Sequence, residues 1–144
     1  MEFQCSILND YEGAISLETN SVYGVSLTTV SRVLLTHGFS SKSGGALTGI
    51  SGGEQNFDIV ARKGPKTIAA EVLPAGDRKK CEIRLINMRA KIWDSAPDLA
   101  IAIAPAEVGP ELEALAKNYK FVLIEALSEE DLEAKLEELM QLLD

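Results

Sequence analysis

A chain of 144 residues has room for one domain with a real core and not for a second of the same size. Its 46% hydrophobic and 25% charged residues are those of an ordinary globular protein, which excludes a disordered or fibrous chain. A formal net charge of −8 makes the molecule as a whole a poor binder of polyanions, and its longest apolar run, at 99–104, falls far short of the roughly 20 residues a membrane helix needs.

In chain order, alternation at 3–8, 14–17 and 21–27 predicts three short strands, with Asn9-Asp10 and Thr19-Asn20 as turns between them. Thr28 or Thr29 is placed to cap a helix that carries Val30, Val33 and Leu34 and stops at Gly38, with His37 in its last turn as a surface residue. The Ser- and Gly-rich stretch 40–53 reads as a loop holding one short strand around Leu47. Strands at 56–62 and 67–73 are joined by Lys63-Gly64-Pro65-Lys66, a tight hairpin.

From Asp77, a plausible N-cap, to Trp93 an amphipathic basic helix is expected, since Cys81, Leu85, Met88 and Ile92 recur at helical spacing. The apolar run 98–104 reads as a strand buried on both faces. A helix from about Val108 to Asn118 and a strand at 121–124 complete a strand-helix-strand unit of the parallel-crossover type. Ser128 and Asp131 open a last helix striped by Leu132, Leu136, Leu139 and Leu143, a stripe that reads as core packing ahead of a dimer seam. A homodimer stays open.

The charge is unevenly spread. Residues 62–91 hold nine bases (Arg62, Lys63, Lys66, Arg78, Lys79, Lys80, Arg84, Arg89, Lys91) against three acids, while residues 107–144 hold eleven acids against three lysines. A local basic surface on an acidic protein is therefore expected, with a solvated helix face as the bland alternative. Cys5 and Cys81 have neither a metal-ligand spacing nor a partner framework and are expected to be buried thiols. With no span and no apolar leader in sight, a cytoplasmic location is expected.

The hairpin carries the sharpest geometric expectation. With its turn centred on Gly64-Pro65, cross-strand partners sum to 129 and Asp58 faces Glu71. Opposite side chains on one face lie about 4.5–5.5 Å apart at Cβ, and two like charges there need a cation, a shared proton or a base. A Mg²⁺ site begins this way, because that ion takes one or two carboxylates and completes its octahedron with water and phosphate oxygens. The competing reading is a shifted register, or a base such as Arg62 that merely pairs with Glu71.

LLTHGF at 34–39, SGGEQNFDIVA at 51–61 and KTIAAEV at 66–72 resemble the restriction-endonuclease-like superfamily of PD-(D/E)xK nucleases, above all Mrr-type restriction endonucleases and archaeal Holliday-junction resolvases. The resemblance covers about 28–126 and implies a central mixed β-sheet flanked by α-helices. It also implies metal ligation by Asp58 and Glu71. The motif lysine does not carry over, since Leu73 stands in its place, and the stretch 27–35 lacks the glutamate that the family's early helix often supplies. Some relatives supply the base from the following helix, which makes Lys79, Lys80 and Arg84 the replacement candidates and Lys66 a weaker one. Gln55 and Asn56 are placed to hold a metal-bound water or a phosphate.

The expectation is a single α/β domain of restriction-endonuclease-like fold. Short strands at 1–27 pack on a core at 28–126, followed by an acidic amphipathic helix at 127–144. Its expected function is nucleic-acid binding, to DNA, through Arg62, Lys63, Lys66, Arg78, Lys79, Lys80 and Arg84, with a degenerate catalytic site. The alternatives are an active Mg²⁺-dependent endonuclease with a relocated lysine or arginine, and a protein-interaction module with no nucleic-acid role.

Overall fold

The structure, a computed structural model, describes residues 20–74, 77–104 and 108–143, with side chains from Leu27 onward. Its elements run α1 (Asn20–Thr36), β1 (Ser40–Ser43), β2 (Ala46–Thr48), β3 (Glu54–Asn56), β4 (Ile59–Lys63), β5 (Lys66–Val72), α2 (Arg78–Ser95), β6 (Leu99–Ala104), α3 (Pro110–Asn118), β7 (Val122–Glu125) and α4 (Glu129–Leu143). Five strands form one mixed sheet in the order β1-β4-β5-β6-β7, and β2 and β3 form a separate two-stranded ribbon. No helix among the described residues is long and apolar enough to cross a membrane.

The turn at Gly64-Pro65 decides the register of the central hairpin. Gly64 has φ +60°, while Pro65 is confined to negative φ, so the two-residue loop is of the II′ kind, whose twist matches that of the strands it joins. The pairs Ile59 with Ala70, Val60 with Ala69 and Lys63 with Lys66 follow, all summing to 129. Beyond it, β5 pairs parallel with β6 and β6 parallel with β7. The strand-helix-strand unit expected over 98–124 is thus present, and α2 makes the crossover from β5 to β6.

Side-chain alternation sorts the sheet's two faces. Ile59, Ala61, Ile68, Ala70, Val72, Ile101 and Ile103 pack in one cluster with Val30, Val33 and Leu34 of α1 and Leu132, Leu136 and Met140 of α4. Leu73 and the small Ala100, Ala102 and Ala104 face the other way, onto Cys81, Leu85 and Met88 of α2 and Leu112 and Ala116 of α3. Alanine on that face of β6 lets α2 and α3 approach the sheet closely, while isoleucine fills the wider space on the opposite face. The result is a helix-sheet-helix sandwich, and Glu71, between Ala69 and Leu73, belongs to the α2 face.

Several local expectations are corrected. The stretch 21–27 is not a strand; it lies in α1, which begins by Asn20 rather than at Thr28 or Thr29. Tyr23, Leu27, Val30 and Leu34 keep helical spacing, so a short stretch that alternated also satisfied the longer period. The strands expected at 3–8 and 14–17 lie outside the described residues. The strand expected at 56–62 is broken at Phe57 and Asp58, leaving β3 to pair with β2 and β4 with β5. At the end of α1, Gly38 at φ +89° lets Phe39 N donate back to Leu34 O, a Schellman ending that seats Phe39 in the core.

Candidate active site

Asp58 and Glu71 meet at the open end of the hairpin, on the α2 face. Asp58 occupies the bend before β4, and its Oδ2 accepts the Val72 N–H at 2.8 Å, which ties it to the end of β5. Glu71 is a buried residue in the middle of the sheet, its side chain only 4% exposed. One carboxylate oxygen, Oε2, accepts from Lys91 Nζ at 2.5 Å, and the other, Oε1, is buried without a hydrogen-bond partner. Burial and then the charge of Asp58 push the Glu71 carboxyl above the usual carboxylate range, against the opposing pull of Lys91 and Arg84.

Two bases reach this pair from α2. Lys91 Nζ also donates to Asn56 O at 2.7 Å and sits 4.8 Å from the centre of the Phe57 ring, so the residues before Asp58 form a seat for the ammonium. Arg84 Nη1 lies 3.6 Å from Asp58 Oδ2 and donates to Val72 O at 3.3 Å. Arg84 and Lys91 are seven residues apart, two helical turns, and therefore share one side of α2.

Of the side chains singled out in the sequence, the structure brings Asp58, Glu71 and Arg84 together. Arg84 is brought to the acids as expected. Lys79 and Lys80 are not: both are exposed in the first turn of α2, and neither pairs with Asp58 or Glu71, because that turn lies more than one helical turn from the site. Lys91, one of the nine bases of the 62–91 segment, contacts Glu71 instead. Its seven-residue spacing from Arg84 was the available signal. Arg62, Lys63 and Lys66 lie at the turn end of the hairpin, four to five residues and thus roughly 15 Å from the acids. Arg62 donates to Ala46 O, Lys63 donates to His37 O and lies over the Phe39 ring, and Arg78 pairs with Glu111 of α3. Lys66 is too distant to serve as the missing lysine.

The Gly-rich loop is clasped rather than left open. Asp94, near the end of α2, accepts from Ser51 N, Ser51 Oγ and Gln55 Nε2 at 2.8–2.9 Å, and its main-chain oxygen accepts from Ile50 N. Hydrogen bonding by Gln55, then Ser51, holds the Asp94 carboxyl below the usual carboxylate range. A Cβ at Gly49 would overlap that carboxylate, so only glycine lets the loop lie so close. Gln55 is thereby engaged with Asp94, and Asn56 contributes its main-chain oxygen. Cys81 is buried as expected, its thiol pushed up to about 11 chiefly by burial; Cys5 lies outside the described residues. His37, in the turn just past α1, has its Nε2 2.7 Å from Glu137 Oε1 of α4.

The donor set suits a hard divalent cation. Asp58 and Glu71 offer carboxylate oxygens, one of them the unpartnered Oε1, and such an ion commonly takes only one or two carboxylates and keeps water on its other positions. Among the described residues no cluster of three or more His, Cys, Asp and Glu side chains is gathered as a fuller ligand set.

No protein-family model matches the chain, and no curated protein matches it. Among solved structures it is similar to a crystal structure of a protein of unknown function, AF1548, with 17% identity and a TM-score of 0.50. That likeness covers 70% of this chain and 58% of the other, so the chain spans less than two thirds of its neighbour's length. The likeness is one of fold: this is an α/β domain with a mixed five-stranded sheet between helices.

Proposed function

We propose that the chain is a metal-dependent nuclease of the restriction-endonuclease-like kind, acting on DNA phosphodiesters, in which Lys91 delivered from α2 takes the role of the missing motif lysine. The observation that carries this reading is the contact of Lys91 with Glu71, made on the sheet face that also holds Asp58. Asp58 and Glu71 would hold the cation, which supplies Lewis-acid polarisation of the phosphate and a more acidic water. The Lys91 ammonium has three protons and spends two on Glu71 and Asn56 O. The third is available to orient the attacking water or to stabilise charge on a phosphate oxygen. Phe57 beneath the ammonium and the clasped loop ahead of it keep Lys91 in place without further polar partners.

Incubation of the protein with duplex and branched DNA in Mg²⁺ or Mn²⁺ tests the reading. Cleavage is expected, with loss on chelation and a drop of about 100-fold or more for Lys91→Ala or Asp58→Ala. Cleavage retained by Lys91→Ala sinks the assignment of the lysine.

A second reading is favoured by Arg84, whose guanidinium lies against Asp58 and Val72 O and compensates the acids by itself. In that reading the site is a relic on a DNA-binding module. DNA binding by the wild type without cleavage in either metal selects it, and absence of both leaves a protein-interaction module.

A further inference from the structure

Helix α2 turns an apolar stripe outward. Ile83 is 48% exposed, Ile86 47% and Trp93 79%, and exposed Ala90 lies between the last two. Their spacings of three, four and three place them within an arc of about 80°, on the side opposite the buried Cys81, Leu85 and Met88. Ile50, 87% exposed, adjoins the Trp93 end because its N–H donates to Asp94 O. A continuous patch of this kind marks an interaction surface, unlike scattered single residues. The two arginines that flank it are drawn toward α3, Arg78 pairing with Glu111 and the Arg89 guanidinium lying 4.9 Å from the Tyr119 ring centre, and Lys79 bounds the stripe one turn before Ile83.

We propose that this stripe packs against the same stripe of a second copy of the chain, α2 against α2 in antiparallel fashion about a two-fold axis beside Asn87. In that register Ile86 meets Ala90 of the second copy, large against small, and Ile83 meets Trp93 of the second copy. On the flank toward the candidate active site, Lys80 faces Asp94 of the second copy, so opposite charges meet twice. A parallel pairing would set Lys79 on Lys79 and Lys80 on Lys80, which like-charge repulsion disfavours. Because Arg84 and Lys91 lie on the Lys80 flank, the antiparallel dimer presents both Asp58–Glu71 pairs on one side.

The test uses the full chain carrying Cys5→Ser, Cys81 being buried. In sedimentation equilibrium the chain is expected to dimerise with rising concentration, and Ile86→Glu to weaken that by more than about tenfold with unchanged circular dichroism and thermal unfolding. Emission from Trp93, the single tryptophan, is expected to shift to the blue with concentration in the parent and not in Ile86→Glu. Asn87→Cys is expected to form an intermolecular disulfide under mild oxidation, whereas Lys42→Cys on the exposed β1 strand forms none. The proposal is overturned by a parent chain that stays monomeric, by a dimer indifferent to Ile86→Glu, or by a dimer in which Asn87→Cys stays reduced. A monomer whose Trp93 emission shifts on adding duplex DNA assigns the stripe to nucleic acid and equally overturns it.

Discussion

Glu71 shows how one side chain sets stability and chemistry against each other. In the unfolded chain a glutamate ionises near pH 4.3, while burial and Asp58 make Glu71 hold its proton to higher pH in the fold. The folded state therefore binds that proton more tightly, and its contribution to stability is fullest below the ordinary carboxylate pKa and is lost as pH rises through the raised one. Glu71→Gln, which carries no charge to bury, is expected to unfold at a higher temperature than the wild type at about pH 8, with the gap closing as the pH falls to about 4. Calorimetry across that range checks it, and a variant less stable at the alkaline end would mean that Lys91 outweighs burial. Gly49 makes a simpler case: Gly49→Ala must displace the Asp94 carboxylate and open the Ser51 and Gln55 clasp, a loss of about 1–3 kcal/mol measurable by denaturant unfolding.

Among the elements, α2 and α4 carry consequences that their amphipathic patterns alone do not show. Helix α2 starts cleanly on Asp77, whose carboxylate accepts from Lys80 N, but ends on Ala96 at φ +49°, a left-handed conformation in which a Cβ is strained. Ala96→Gly is expected to stabilise the protein by about 1 kcal/mol, seen as a rise of roughly 2–4 °C in Tm. The acids of α4 are not merely a solvated tail. Glu129, Glu133 and Glu137, spaced one turn apart, reach Thr29 and Arg32 of α1 and His37 just past its end, so the polar rims of the two helices lock while Leu132, Leu136 and Met140 enter the core. The leucine stripe is thus core packing as far as Leu139, which packs half-buried against the cluster beside the fully buried Met140, while Leu143 is exposed.

For the whole molecule, the fold turns Arg78 and Arg89 of the nine bases at 62–91 toward α3 and divides the other seven into two groups. Arg62, Lys63 and Lys66 ride on the hairpin turn, whereas Lys79, Lys80, Arg84 and Lys91 lie along α2, the last two against the acids. If DNA is gripped near Asp58 and Glu71, Lys79 and Lys80 matter more than the hairpin trio. Replacing Lys79 and Lys80 with alanine is expected to lower the salt slope of DNA binding by nearly 2, at about 0.9 for each phosphate contact on duplex DNA. Replacing Lys117 and Lys120, which share a surface cleft with Glu113 and Glu125, is expected to leave it unchanged. Equal slopes for the two variants, measured by titration over a salt series, would remove α2 as the DNA-binding face.

Local chemistry was enough to read much of this architecture. Gly64 before Pro65 admits one turn type and with it one register, so the apposition of Asp58 and Glu71 followed from a two-residue turn and period-two alternation. Asp77, Gly38 and Ser128 ended or opened helices through hydrogen bonds that short segments encode by themselves. The contacts that complete the site are of another kind. Which of nine bases meets Glu71 depends on how α2 lies across the sheet, and that is set by Leu85 and Met88 packing over the alanines of β6, contacts between segments distant in sequence. The clasp of Asp94 on the Gly-rich loop spans about forty residues and has no local signature. Periodicity fixes which residues share a side of a helix, but only packing against the sheet decides what that side meets.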